Sequence, residues 1–406
     1  MFATAVQRHL SVPGVSFEAD KYTINESAAE RINEECDAFI LPLANAFRSS
    51  FERHLIRYTK LIKKLKIPVI VVGVGAQAKV ESSFDELKPI NNTVIEFSKE
   101  VLERSSVIGV RGAFTAEYLN HLGIKNVEVI GCPSMYYWGK DFQPTLKVSK
   151  LDQNARLAVN ITENIPEMAS FALQNYQRYP DTFYFAQDIN TLQTLWWGLG
   201  KYGNPTNIHH MAHPFYLMNR VRFFTDIYPW MNFISQRDFS YGSRIHGNII
   251  ALQAGIPSVL IAHDSRTLEL AQYLGIPHLQ LKELSQFSDV SELYELVDLK
   301  STQKRYKKIL KTYRSFLEKN HLAHTLSHDA EKSGAATFDS RISTCVYPEP
   351  VTSETNTDPE SISERLALHR TNLSSALSGM KKKQAALESE LSHLKAQLAE
   401  LLEQKK

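Results

Sequence analysis

Short apolar runs alternate with amphipathic stretches from about Asp37 to His278. The runs have the length of buried parallel strands, and the stretches between them carry apolar residues at helical spacing. In the first half of this region, strands are predicted at Asp37–Leu41, Ile67–Val72, Ser106–Val110 and Val127–Ile130, with helices at Phe51–Lys66 and Ala113–Leu122. Alternating strands and helices predict an α/β domain built on a parallel sheet.

A polar segment that contains a proline, residues 140–154, interrupts this pattern before a second α/β set begins. We expect a domain boundary there, with one domain at residues 1–150 and the next at residues 151–325. In the second domain, strands are predicted at Arg156–Ile161, Thr182–Gln187, Phe233–Ser235 and Pro257–Ile261, and helices near Gly247–Ala254 and Thr267–Leu274. Two such domains usually enclose a ligand cleft at the carboxyl ends of their strands.

The C-terminal quarter begins with a predicted helix, Lys300–Lys319, whose apolar face is surrounded by lysines and arginines. Either this face docks on the domains and the basic side is solvated, or the helix forms a membrane-surface patch near a lipid-linked substrate. Residues 326–362 are rich in Ser, Thr, Glu and Pro, which is typical of a flexible linker. Residues 363–406 carry Leu or Met at both core positions of about five heptads, which predicts a coiled coil and homo-oligomers.

Composition narrows the classes of protein that fit. The 406 residues carry a formal net charge of +2, which argues against a surface built as a whole to bind nucleic acid. Cys36, Cys132 and Cys345 lie far apart, so neither a disulfide framework nor a thiolate zinc site is expected. The chain has no signal-peptide core and no run of ~18 apolar residues. We therefore expect a cytoplasmic protein, with any membrane contact peripheral and at the inner face.

The segment Phe239–Ile261 holds the most informative side chains. A short strand leads to a glycine-flanked turn with Arg244 and His246, and the helix predicted near Gly247 points its N-terminal amides at the same space. An arginine, a titratable imidazole and a helix N-terminus together suit a phosphate or carboxylate beside a proton-transfer group. The alternative is a buried arginine paired with a carboxylate and a histidine satisfied in the core.

Another arginine, Arg111, ends a predicted strand just before a helix, where an anion could again be held, although a structural arginine fits this pattern equally well. Cys132 lies in the turn Gly131–Ser134 with no basic residue next to it in sequence, so we do not expect it to act as a nucleophile. Asp264 and Arg266 follow the last predicted strand, where they either contact substrate or form a helix cap beside a surface arginine.

These segments resemble the polysaccharide pyruvyl transferases. The matching pieces are Arg111–Gly112, Gly131–Ser134, Gly242–His246 with Gly255–Pro257, and Asp264–Leu270. The resemblance implies two Rossmann-like domains similar to the GT-B glycosyltransferases. It also implies transfer of a pyruvyl group from phosphoenolpyruvate to two sugar hydroxyls of a polysaccharide or its precursor, forming a cyclic ketal. Nothing before Ala38 matches the Gly/Asn-rich opening of many members, so either the first βα unit is shortened or the acceptor is bound differently.

On this hypothesis His246 and Arg244 are catalytic: His246 donates and then accepts a proton, and Arg244 holds an anionic group. Substrate contacts are assigned to Arg111, Gly112, Ser134, Gly242, Ser243, Asp264, Arg266 and, after the glycine-rich turn that starts at Gly73, Gln77. No metal and no cofactor are expected, and phosphoenolpyruvate acts as a co-substrate. The expected partners are a sugar acceptor, free or lipid-linked, and further copies of this chain; nucleic acid is not among them.

Two other functions stay open on the sequence alone. One is a nucleotide-sugar glycosyltransferase of GT-B type, which would need a base and ribose pocket in the second domain. The other is a non-catalytic scaffold in which a transferase-like domain is presented by the coiled coil. The presence of both Arg244 and His246 favours an enzyme over a scaffold.

Overall fold

The computed structural model describes residues 1–19, 24–77, 84–163, 165–197, 208, 210–326, 334–353 and 359–403. In these ranges the strands are β1 Phe39–Pro42, β2 Val69–Val72, β3 Ile108–Val110, β4 Val127–Val129, β5 Leu157–Asn160, β6 Thr182–Ala186, β7 Val221–Phe223, β8 Phe239–Gly242, β9 Ser258–Ala262 and β10 His278–Gln280. The helices are α1 Phe2–Leu10, α2 Ala29–Glu35, α3 Glu52–Lys64, α4 Asn91–Leu102, α5 Ala113–His121, α6 Pro166–Arg178, α7 Ile189–Trp197, α8 Pro214–Leu217, α9 Ile227–Ser235, α10 Ile245–Gln253, α11 Ser265–Leu274, α12 Val290–Glu295, α13 Leu299–Lys319, α14 Ala335–Ser343 and α15 Pro359–Glu403.

Strands β1 to β4 form two two-stranded sheets, which we describe together as the N-terminal sheet because a bridge joins them. β1 pairs in parallel with β2, and β3 pairs in parallel with β4. A parallel bridge between Val74 and Val110 joins the two pairs. The residues of β2 are all Val or Ile and are fully buried, as expected of a parallel strand that is covered on both faces.

The C-terminal sheet has six strands in the order β10-β9-β8-β5-β6-β7. The neighbours β10–β9, β9–β8, β8–β5 and β5–β6 pair in parallel. Parallel strands connected through helices confirm the α/β class, while the GT-B arrangement stays a prediction. The strand order reverses between β5 and β8, and open α/β sheets bind ligands outside the carboxyl ends of the strands at such a point.

One predicted strand is wrong. Phe233–Ser235 forms the last turn of α9, whose buried residues Ile227, Met231 and Ile234 repeat at helical rather than alternating spacing. The predicted linker also contains a helix, α14, whose Asp339 accepts hydrogen bonds from the Arg8 guanidinium at 2.7 and 2.8 Å. The other predicted elements of the two sheets lie within a few residues of their observed bounds.

The chain divides into two compact units. Residues 1–187 and 222–350 form the first unit, and residues 188–221 and 351–406 belong to the second. The limits that we predict for the domains stay predictions. In the first unit the apolar face of α13 is buried in a core that also holds Ile70 of β2 and Leu260 of β9, so this helix is docked on the fold.

The second unit contains α15, a helix of 45 residues where the sequence predicts a coiled coil. The helix is confirmed, and its pairing with another copy stays a prediction. Within the described ranges, no helix combines the length and the apolar character that crossing a membrane requires.

Candidate functional site

Arg111 stands at the carboxyl end of β3 and is almost completely buried, with 6% of its surface exposed. One terminal nitrogen donates to Oδ1 of Asn45 at 3.0 Å, and the guanidinium carbon lies 5.8 Å from the ring centre of Phe2. The Nε and the other terminal nitrogen have no hydrogen-bond partner among the described residues. A buried guanidinium with spare donors carries a desolvation cost that an anionic ligand would relieve.

Gly112 is the N-cap of α5, and its missing side chain makes room for Glu269 of α11. A Cβ at this position would lie 2.6 Å from the Glu269 carboxyl group, and Oε1 of Glu269 accepts a hydrogen bond from the Phe114 amide at 2.6 Å. Burial raises the pKa of Glu269, although the backbone amides of Phe114 and Ala113 oppose the shift. The protein's own carboxylate therefore occupies the helix N-terminus where the sequence suggested a ligand anion.

The turn between β8 and α10 is held by Asn160, the last residue of β5. Gly242 has a φ of +147°, and a Cβ there would lie 1.8 Å from the backbone oxygen of Asn160, so this position requires glycine. The same oxygen accepts from the Ser243 amide at 2.9 Å, and the side-chain Oδ1 accepts from the Arg244 amide at 2.8 Å. The fully buried hydroxyl of Ser243 in turn accepts from the Thr162 amide at 2.8 Å. Gly242 and Ser243 thus position Arg244 at the N-cap of α10.

His246 lies in the first turn of α10 and contacts Cys132, which is fully buried. Nε2 of His246 and Sγ of Cys132 are 3.6 Å apart. Burial acts to raise the pKa of the thiol, but His246, Arg111 and Ser134 together lower it to about 6. The structure thus provides the basic partner that Cys132 lacks in its sequence neighbourhood.

Asp264 and Arg266 lie at the start of α11. Asp264 is the N-cap, because its Oδ1 accepts from the Thr267 amide at 2.6 Å, and its Oδ2 accepts from Arg266 at 3.2 Å. Burial acts to raise the pKa of Asp264, but Thr267, Arg266 and His263 lower it. Asp264 therefore caps the helix and orients Arg266.

Electrostatic effects connect these residues across the first unit. Burial lowers the pKa of Arg111, the charge of Arg266 lowers it further, and Cys132 opposes the shift. Burial likewise lowers the pKa of His263, with Arg244 among the charges that act on it. Thus His246, Arg111 and Ser134 act on Cys132, Arg266 acts on Arg111, and Arg244 and Asp264 act on His263.

Gln77 is placed differently. It is exposed, its amide donates to the Phe47 oxygen at 3.1 Å, and its side chain makes no hydrogen bond within the described part of the chain.

Most of the site residues lie inside a region that a family model recognises. The model of the polysaccharide pyruvyl transferases matches residues 13–265, more than half of the chain. The chain belongs to the polysaccharide pyruvyl transferase family. The family resemblance seen in the sequence is thereby confirmed, and the matched region contains every predicted site residue of this pyruvyl transferase family member except Arg266, which follows directly after it.

Comparisons with other proteins add distant likenesses. No curated protein matches the sequence of this family member significantly. Among solved structures, a putative UDP-N-acetylglucosamine 2-epimerase from Listeria monocytogenes is 12% identical over 82% of this chain and 83% of that chain, with a TM-score of 0.41. The UDP-GlcNAc 2-epimerase from Neisseria meningitidis bound to UDP-GlcNAc is 9% identical over 79% of each chain, with a TM-score of 0.36. The glycotransferase of kitacinnamycin is 11% identical over 78% of this chain and 72% of that chain, with a TM-score of 0.32.

Sequence reasoning missed three residues that build the site in this family member: Asn45, Asn160 and Glu269. Asn160 offered one signal, since a polar amide at the carboxyl end of an otherwise apolar strand is typical of a residue that organises the following turn. The roles of Asn45 and Glu269 depend on partners 66 and 155 residues away, so no local pattern could indicate them.

Proposed function

We propose that this chain transfers the pyruvyl group of phosphoenolpyruvate to two hydroxyls of a sugar, in a polysaccharide or its precursor, and so forms a cyclic ketal. The observation that carries the proposal is the buried Arg111 guanidinium with unsatisfied donors, close to Cys132 and therefore to His246. Phosphoenolpyruvate carries a phosphate and a carboxylate, and arginines bind both groups through paired hydrogen bonds. Arg111, Arg244 and Arg266 supply the positive charge for two anionic groups.

His246 is the proton donor in this proposal. It gives a proton to the methylene carbon of phosphoenolpyruvate, and the electron pair of the carbon–carbon double bond forms the new C–H bond. The neighbouring carbon C2, which carries the phosphate oxygen, then becomes an oxocarbenium-like centre. A sugar hydroxyl then forms a bond to C2, and its proton returns to His246. The bond from C2 to the phosphate oxygen breaks next, and a second hydroxyl closes the ketal while its proton leaves with the phosphate. One histidine thus acts as acid and then as base, as an imidazole can near neutral pH.

The proposal is tested by incubating the purified chain with phosphoenolpyruvate and a panel of sugar acceptors. Mass spectrometry should detect the pyruvylated product, and phosphate release should accompany it. His246→Ala should lower turnover by about 10²- to 10⁴-fold, the usual contribution of general acid–base catalysis. The matched control is His121→Ala, because His121 is exposed in the last turn of α5 and should leave turnover unchanged. Equal phosphate release from the two variants would remove His246 from this role.

Thermal unfolding with ligands separates the other functional classes. Phosphoenolpyruvate should raise the melting temperature, because a ligand that binds the folded state stabilises it. A rise with nucleotide sugars and none with phosphoenolpyruvate would favour a glycosyltransferase. A scaffold would be favoured if neither pyruvylated product nor phosphate release is detected and neither ligand raises the melting temperature.

Self-association through α15 is part of the proposal. Seven apolar side chains along this helix are between 46% and 68% exposed in the single chain: Leu366, Leu373, Leu377, Met380, Leu387, Leu391 and Leu394. Their heptad spacing is that of a coiled-coil seam, and a second copy of the helix would cover them.

We also propose that the chain binds peripherally to the cytoplasmic face of a membrane through the outer side of α13. Lys300, Lys304, Lys307, Lys308 and Lys311 are exposed there and form no ion pair with any described residue. A lysine close to an anionic membrane surface contributes about 1 kcal/mol to binding. This row would keep the enzyme near a lipid-linked acceptor, and flotation with vesicles of anionic and of neutral lipid tests it.

A further inference from the structure

The Cys132 thiol is a buried nucleophile that the proposed mechanism does not use. It belongs to the turn between β4 and a short 3-10 helix, Pro133–Tyr136, and none of its surface is exposed. Its Sγ lies 3.6 Å from Nε2 of His246, a residue 114 positions later in the chain. The distance suits a hydrogen bond to sulfur, so the thiol and the imidazole form a pair.

A second observation shows that this pair lies beside a ligand position. Arg111 acts electrostatically on Cys132, is 6% exposed, and keeps two nitrogens that have no partner among the described residues. Leaving donors of a buried cation unsatisfied is costly, so their natural acceptor is an anion that binds there. The thiol, the imidazole and the unsatisfied guanidinium therefore face one site.

We propose that Cys132 is a positioning residue, whose thiolate accepts a hydrogen bond from Nε2–H of His246 and holds the imidazole charged and oriented for proton donation. This inference rests on the proposed function. Since Nε2 is engaged with Cys132, Nδ1–H of His246 is the donor to substrate in this proposal. When that proton moves to the methylene carbon, His246 becomes neutral and still donates from Nε2 to the thiolate. Cys132 forms no bond to substrate and undergoes no redox change.

Several groups face Cys132 and set its charge. His246 comes from α10, Arg111 from the end of β3, and Ser134 from the same turn as the thiol; they favour the thiolate against burial, so that the pKa of Cys132 is about 6. The Met1 amino group, Tyr136 and Tyr313 also interact electrostatically with the sulfur. The thiolate form of Cys132 is therefore the expected form at neutral pH.

A direct test measures the thiolate without substrate. In a Cys36→Ser/Cys345→Ser double variant, Cys132 is the remaining cysteine, and ultraviolet absorbance reports its deprotonation. We expect a midpoint near pH 6, which should rise toward the ordinary thiol value of about 8.5 when His246→Gln is added. A midpoint near the ordinary value before that change, or an unchanged midpoint after it, would overturn the pairing.

Kinetics test the positioning role. Cys132→Ser should lower kcat by about tenfold or more and leave KM for phosphoenolpyruvate nearly unchanged, since it removes charge stabilisation from the acid while keeping the anion contacts. The alkaline limb of its pH–rate profile should move to lower pH, which a merely structural role would not cause. Cys36→Ser, away from the site, is the control, and an equal kcat in the two variants would overturn the inference. If Cys132 titrates as expected but no pyruvyl transfer is detected, the proposed function is contradicted while the pairing of Cys132 with His246 is supported.

Discussion

Asn160 offers a sharp test of how the site is built. Its side chain is 2% exposed, and Oδ1 accepts from the Arg244 amide at 2.8 Å and from Nδ2 of Asn248 at 3.3 Å. Its Nδ2 donates to the Tyr241 oxygen at 3.3 Å. Replacement by alanine removes these bonds while leaving the backbone oxygen that supports Ser243 in place.

The expected loss of unfolding free energy in Asn160→Ala follows from the hydrogen-bond partners that the substitution leaves behind. The Arg244 amide would lose its acceptor, which costs about 1–3 kcal/mol for a buried donor, and the loss of the bond to Tyr241 adds about 1 kcal/mol. Asn248 keeps its other bonds, from Nδ2 to the backbone oxygens of Gly242 and Arg244. We therefore expect Asn160→Ala to lower the free energy of unfolding by about 2–4 kcal/mol and to loosen Arg244.

The assay pairs urea unfolding with turnover. Asn175→Ala is the matched control, because Asn175 is 3% exposed, donates to the Phe171 oxygen at 3.0 Å and accepts from the Val290 amide at 2.8 Å, away from the site. Both variants should lose similar stability, but turnover per folded molecule should fall only in Asn160→Ala. Wild-type stability in Asn160→Ala, or equal turnover in the two variants, would refute this account of the turn.

Three other outcomes are expected. Burial lowers the pKa of His9 to about 3, whereas the unfolded chain binds that proton near pH 6.5, so acid should cost about 2 kcal/mol of stability at about pH 5. Stability begins to fall as the pH drops through the pKa that His9 has in the unfolded chain. Urea unfolding at about pH 7.5 and about pH 5 should therefore show a smaller loss of stability for His9→Gln than for the wild type. The same loss in both proteins would contradict the assignment to His9. Gly112→Ala should displace the Glu269 carboxylate and cost about 1–3 kcal/mol in chemical unfolding. Glu269→Ala should cost a similar amount, and additive losses in the double variant would mean that the two positions act separately. Leu377→Glu/Leu391→Glu should reduce the mass by light scattering to that of one chain, and an unchanged mass would argue against a seam on α15.

Most elements of the fold could be predicted from the sequence, because apolar periodicity reports burial. Among the predicted strands, Phe233–Ser235 is wrong because it is a short apolar run, and such runs do not distinguish a strand from a helical turn. The longer stretch that starts at Ile227 does distinguish the two, because its buried residues recur at helical spacing.

The site was predictable only where local sequence sets the geometry. Arg111 and His246 follow strands and start helices, so their placement is local. The contact between Cys132 and His246, and that between Glu269 and the start of α5, join residues that are distant in sequence. The spacing of residues carries no information on such contacts until the sheets are assembled.

The docking of α13 has a consequence for how the chain folds during synthesis. Tyr313 of α13 packs in one core with Ile70 of β2 and Leu260 of β9, so part of the N-terminal sheet is covered by residues made much later. Apolar surface without its cover favours association with other chains. The core that α13 shares with both sheets can therefore be completed only after synthesis has passed Lys319, the end of α13.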